Sequence, residues 1–135
     1  MKKRITLVVL LALVLASILG GLLYMARALF SESYSYAYGG FDYYLLTPSE
    51  IADMTGLCRH KPHFLTNQVS GPNSFQATTM RCRIVKDEII RHLGQAGFIT
   101  GRGGKFEKGN MEVLLSTNHV GDEVVDVTLF MTGGD

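Results

Sequence analysis

The chain has 135 residues, nearly half of them hydrophobic, and a formal net charge of +1 at pH 7. That charge is unevenly spread. Lys2, Lys3, Arg4 and Arg27 flank an apolar run, whereas residues 31–135 carry nine basic and twelve acidic side chains, a net of −3. A mildly acidic segment of about 100 residues can bury one core and gives no general reason to expect nucleic-acid binding.

Residues 5–26 contain no ionisable side chain. Twenty-two residues in a helix measure about 33 Å, enough to cross a hydrocarbon core of about 30 Å. Three positive charges precede this run and one follows it, so the positive-inside rule places residues 1–4 in the cytoplasm as a short tail. Residues 5–30 then form a transmembrane signal anchor, and the rest of the chain lies in the periplasm or its equivalent. A cleavable signal needs an apolar region of only about 7–15 residues before a small-x-small site. Ala26-Arg27-Ala28 has that form, and cleavage after Ala28 is the alternative to an anchor. A lipoprotein signal needs a cysteine just after the apolar run, and Cys58 is the first in the chain. Ala12, Ala16 and Gly20 recur every four residues, with Ser17 and Gly21 beside them. Small residues at this spacing let two membrane helices approach closely, so this face is a candidate for helix–helix association in the membrane. Such patterns also arise by chance.

Residues 31–40 read as a linker of Tyr, Ser and Gly. Tyr34, Tyr36 and Tyr38 alternate with small residues, which suits an aromatic belt at the membrane–water boundary. A strand with one aromatic face and a sticky partner surface are the other readings. Gly39-Gly40 breaks the segment before a folded domain over residues 41–135.

Phe41 to Leu46 is rich in aromatic and apolar residues and predicts a first strand. Thr47-Pro48-Ser49-Glu50 has the form of a capping box with Pro at the first helical position, predicting a helix to about Thr55 that stops at Gly56. Cys58 to His63 is irregular and basic. Phe64 to Val69 predicts a strand, Ser70-Gly71-Pro72-Asn73 a turn, and Ser74 to Ile84 a second, alternating strand. There Met80, Cys82 and Ile84 share the inward face, and Thr79, Arg81 and Arg83 the outward one.

Lys86 to Ala96 is the clearest helix of the domain. Asp87 and Glu88 suit its first turn, Ile89, Ile90, Leu93 and Ala96 form an apolar stripe, and Gly97 stands at the C′ position. Gly101 to Gly104 predicts a loop, Lys105 to Lys108 a short strand, and Gly109-Asn110 a tight turn. Met111–Thr117 and Glu123–Met131 predict strands joined by Asn118–Asp122 as a hairpin loop. Val125, Val127, Leu129 and Met131 would share one face of the last strand, and Thr132 to Asp135 would fray. The predicted fold is α+β: an N-terminal transmembrane helix, then two helices packed on a mainly antiparallel sheet in a βαββαβ-like order.

Cys58 and Cys82 enclose 23 residues. In an oxidising compartment the pair reads as a disulfide, which would tie the end of the domain's first helix to a strand. The same cysteines with His60 and His63 offer four zinc-type ligands, but Cys-x-His-x-x-His matches no closed knuckle. His92 and His119 have no evident partner. No spacing links a Ser, His and Asp as a catalytic set. Asp87-Glu88 reads as a helix start and Asp122-Glu123 as a loop. Gly101-Arg102-Gly103-Gly104 lacks the pattern and context of a phosphate-binding loop, and no cofactor motif is present.

Arg59, Lys61, Arg81, Arg83 and Lys86 all lie close in sequence to one cysteine or the other. A disulfide would gather them on an otherwise acidic domain. They form either a solvated rim or a docking patch for an acidic protein or anionic lipid headgroups. The chain is therefore expected to be a small, non-enzymatic, single-pass protein of the inner membrane whose periplasmic domain acts through a protein partner. It would serve as a subunit of an envelope complex or as an immunity-type inhibitor of an incoming toxin. A metal-binding or enzymatic domain using Cys58, His60, His63 and Cys82, and a lipid- or cell-wall-sensing module, are the alternatives.

Overall fold

A computed structural model describes residues 2–71 and 74–133, without the side chains of residues 2–4 and 28. The expected Pro72-Asn73 half of the turn, the fraying of residues 134–135 and the flanking charges of residues 2–4 lie outside the described residues. The chain divides into two compact units, residues 1–31 and 32–135.

The first unit is helix α1, Lys2–Phe30. Within it Ile5–Arg27 is long and apolar enough to cross a membrane, as an anchor or as a signal. The Ser17 hydroxyl donates to the Leu13 carbonyl at 2.9 Å, which satisfies it inside the helix without a second partner. A side chain added at Gly20 would meet nothing within 4 Å.

The second unit is α+β. Its seven strands are β1 (Ser33–Ala37), β2 (His63–Val69), β3 (Phe75–Val85), β4 (Ile99–Thr100), β5 (Phe106–Lys108), β6 (Met111–Thr117) and β7 (Glu123–Thr132). They form one sheet in the order β1-β2-β3-β7-β6-β5-β4, and each neighbouring pair is antiparallel. Helices α2 (Phe41–Leu46) and α3 (Ser49–Met54), with a 3-10 turn at Thr55–Leu57, connect β1 to β2. Helix α4 (Lys86–Gln95) carries the chain from β3 to β4 at the opposite edge, and successive hairpins bring it back to β7 beside β3.

The first strand lies earlier than predicted, and the sheet has more strands and the domain more helices than the expected βαββαβ-like order. Residues 33–37 are a strand and not a linker. Tyr36 turns inward and is buried, stacked on Phe64 with ring centroids 5.3 Å apart. Its hydroxyl lies 3.3 Å from the Thr66 hydroxyl and accepts from Thr47 at 3.1 Å. With β1 holding the edge of the sheet beside β2, no edge is left there for residues 41–46, which coil into α2. Asp42 lies in the first turn of that helix, where it suits the dipole, and only Tyr43 is buried. Thr47 accordingly ends α2, giving its N–H to the Tyr43 carbonyl, and does not cap the next helix. Pro48 takes the N-cap position of α3.

Residues of one parity line the core. Phe64, Met80, Cys82, Ile84, Val113 and Leu129 pack against Ile51 and Met54 of α3 and Ile89 and Leu93 of α4. The alternation expected of β3 is present, with Arg81 and Arg83 exposed. The apolar stripe of α4 is narrower than expected, since Ile90 and Ala96 are exposed. On β7 the inward residue is Val124, not Val125. Ser116 faces Asp126 and Thr117 faces Val124, so Val125 is an extra residue that shifts the parity of the strand.

Helix α4 ends as a Schellman motif. The Phe98 N–H donates to the Leu93 carbonyl at 3.0 Å and the Gly97 N–H to Gly94 at 3.1 Å. Gly97 has φ +89°, and Leu93 and Phe98 are both buried. Gly94, one turn earlier, is helical and exposed, with open space where a Cβ would stand. Gly97→Ala should therefore destabilise the protein by about 1–2 kcal/mol, the cost of a left-handed non-glycine residue. Gly94→Ala should stabilise it by about 0.5–1 kcal/mol. Urea denaturation of the full chain in detergent reads both, and equal signs would contradict the capping geometry.

Candidate functional site

Three surface features emerge from this architecture: the surroundings of the disulfide, the uncovered face of the sheet, and the outer side of α2. The Cys58–Cys82 bond is formed, with Cα atoms 5.7 Å apart. Cys82 reaches it because β3 alternation points it into the core, where it is buried. Cys58 reaches it because the 3-10 turn after α3 sets the chain down beside β3. There the Arg59 N–H donates to the Arg83 carbonyl at 3.0 Å. The bond also answers the alternative zinc reading, since two of its four ligands are oxidised and offer no thiolate. Of the others, His60 is exposed, and His63 Nε2 lies 2.9 Å from the Ser35 hydroxyl on β1.

The five basic residues are all exposed, but they are not equivalent. Arg59 pairs with Glu123 at 2.7 Å and Arg81 with Asp126 at 3.0 Å. Both acids come from β7, which lies beside β3, so two of the five charges are neutralised within the domain. Lys61, Arg83 and Lys86 have no side-chain ion pair among the described residues. These pairings are not legible along the chain, because Arg59 and Glu123 are 64 residues apart.

The helices cover one face of the sheet. On the other face Leu65, Thr79, Leu114, Thr128 and Phe130 are half-buried around the small, buried Ala77, as strand register requires. The Thr79 and Thr128 hydroxyls lie 2.9 Å apart across β3 and β7. Phe75 and Phe130 bring their rings to 6.5 Å. At that end of the sheet a shallow groove of about 730 Å³ is bordered by Phe75, Phe130, Glu107, Glu112 and Asn110. Lys105 bonds Glu112 at 2.8 Å. That hydrogen bond and charge, with Glu107 adding to them, hold the ammonium above its ordinary pKa. The apolar members of this face were legible only as alternate positions of β3, β6 and β7, and became a surface once strand order was known.

On α2, Phe41, Tyr44 and Leu45 are exposed at positions i, i+3 and i+4, and Tyr38 is exposed beside them. Of the three linker tyrosines expected to form a belt, Tyr36 is core, Tyr34 is half-buried and Tyr38 alone is exposed. In α1 the Ala12, Ala16 and Gly20 face is exposed.

Comparison with known protein families, curated proteins and solved structures finds no match for this chain.

Removing the disulfide, by reductant or by Cys58→Ala with Cys82→Ala, should lower stability by about 3 kcal/mol for a loop of this length. Arg59→Ala should cost no more than about 1 kcal/mol, as an exposed pair does. Denaturation of the full chain with and without reductant measures the first, and an unchanged midpoint would show that the bond does not constrain the unfolded chain.

Proposed function

We propose that this protein is a membrane-tethered accessory module, not an enzyme, that works by binding a protein partner in an oxidising compartment outside the cytoplasm. The observation that carries the reading is the one-sided sheet. A helix layer closes one face, and the other presents Leu65, Phe75, Leu114 and Phe130 among threonines, partly open to solvent. Surfaces that mix apolar and hydroxyl side chains with a charged rim suit protein recognition. Arg83, Lys61 and Lys86 supply cations not offset by ion pairs among the described residues, which favours an acidic partner and would speed its encounter. The disulfide supports export, since such bonds persist where thiols are oxidised. The charge difference across α1 supports an N-terminus in the cytoplasm of a bacterial-type inner membrane. A role as a subunit of an envelope complex fits this arrangement, with the small-residue face of α1 packing against a neighbouring membrane helix.

A photo-crosslinking residue at Leu114 should give a discrete adduct in native membranes, and one at Ile90, on the far side of the helix layer, should not. Arg83→Glu with Lys86→Glu should reduce the Leu114 adduct severalfold without changing the protein's abundance. Equal labelling at both positions would sink the open face as the contact surface. Independently, Ala16→Ile with Gly20→Ile should weaken helix association in a membrane two-hybrid assay. An unchanged signal would leave α1 as a tether alone.

A further inference from the structure

The open sheet face is not uniform in charge. Strand register sets Glu107, Glu112, Phe130 and Ala77 side by side across β5, β6, β7 and β3. Phe75, two residues before Ala77, shares that side of the sheet and stands opposite Thr132. Glu107, Glu112, Phe130 and Phe75 border the groove of about 730 Å³ at this end.

The wall of the groove is aromatic. Phe75 is 36% exposed, and its ring stands 6.5 Å from that of Phe130, tilted by 44°. The rim is acidic. Glu107 and Glu112 are the only charged residues among the described lining. Lys105 offsets one of them through its 2.8 Å bond to Glu112. Two carboxylates and one ammonium leave a net charge of −1, and Glu107 forms no salt bridge among the described residues. Gly101 leaves room for its carboxylate, since a Cβ there would stand 2.5 Å from Glu107 Oε1. The hydrogen bond and charge of Glu112, and then the charge of Glu107, already raise the Lys105 ammonium above its ordinary pKa, so the field here favours a cation.

Aromatic faces beside a carboxylate that lacks a partner cation attract positive charge, because the ring face is negative. Of the cations that a protein surface offers, a guanidinium fits such a groove best. It is planar and stacks on a ring, its N–H edges match carboxylates, and it is more weakly hydrated than an ammonium. Arginine is also enriched among the residues that anchor protein interfaces.

We propose that the groove takes the side chain of an arginine from the protein partner, its guanidinium plane against Phe75 and Phe130 and its N–H groups on Glu107 and Glu112. The inference rests on the open face being a protein-contact surface and adds what the partner must carry. Arg83 stands eight residues along β3 from Phe75, about 26 Å away. The partner therefore presents arginine at one end of its contact surface and an acid at the other.

The chain contains no tryptophan, so Phe75→Trp places a lone reporter in the groove. Val120→Trp, in the exposed β6–β7 loop, is the control. Each is made in the full chain and held in dodecyl maltoside, a non-ionic detergent. The probe is the tripeptide acetyl-Leu-Arg-Leu-amide. It should quench Phe75→Trp saturably and leave Val120→Trp unchanged. The same peptide with citrulline, which keeps the shape and loses the charge, should bind about fivefold more weakly. Lys105→Gln added to Phe75→Trp should tighten the arginine peptide about threefold, because it frees Glu112 for the guanidinium. Such a gain cannot come from a damaged fold. Glu107→Gln with Glu112→Gln should abolish the quenching. Absent or unsaturable quenching, equal affinity for the arginine and citrulline peptides, or weaker binding with Lys105→Gln overturns the proposal. So does spermidine binding as tightly as the peptide, which would make the groove a polyamine site. The Leu114 adduct separates this failure from that of the wider reading. An adduct without peptide binding keeps the contact face and removes the arginine, whereas peptide binding without an adduct supports the cation site and overturns the wider reading.

Discussion

The domain depends on the two-residue alternation of β3. This eleven-residue strand lies between β2 and β7, and its inward residues Met80, Cys82 and Ile84 form the centre of the core. A slip of one residue would turn those three to solvent and bring Arg81 and Arg83 inside, where unpaired charges are very costly. Register is thus strongly specified, and several features follow from it. Cys82 meets Cys58, Arg81 meets Asp126, and Thr79 meets Thr128. Pairing on the inward side is covalent and apolar, apart from the buried hydroxyls of Thr66 and Thr78. On the outward side it is ionic and hydroxylic.

A second consequence is the asymmetry of the sheet. Helices α3 and α4 bury residues of one parity, and nothing in the chain's described residues covers the other. Antiparallel sheets tolerate this because each strand can alternate between an apolar and a polar face. Here the outer face is less polar than solvent alone requires, with two phenylalanines and two leucines among its threonines. That composition, more than the basic residues near the disulfide, distinguishes the surface. Arg59 and Arg81 are largely spent on Glu123 and Asp126, so the positive rim is smaller than a count of cations suggests.

The polar contacts of β1 link the core to the outer aromatic surface. Tyr36 joins the buried threonines Thr66 and Thr78 in one hydroxyl chain that Thr47 closes from the end of α2. Tyr34 holds Asp42 at its start. Two hydrogen bonds from adjacent inward positions of one edge strand therefore set both ends of a helix less than two turns long. An isolated helix of that length would not form in water, so α2 exists because β1 positions it.

The sequence by itself determined several features that rest on local periodicity or local chemistry. The membrane-length helix is legible as an uncharged run, α4 as a stripe with acids at its start and Gly97 at its end, and β2, β3, β6 and β7 as alternating or apolar runs between turn residues. The cysteine pairing was legible too, because only two cysteines exist and both follow the apolar run. Tertiary structure alone decided what depends on partners distant in sequence. Phe41 to Leu46 has the composition of a strand but became a helix, because β1 had taken the edge beside β2. The role of Thr47 changed with it. Val125 lost its inward place to a bulge created by the mismatch with β6. Two of five arginine and lysine charges were neutralised by carboxylates that only strand order brings near. Side-chain alternation is written within a few residues, whereas edge occupancy, bulges and cross-strand pairs are settled between strands, and that is why the first kind could be read along the chain and the second could not.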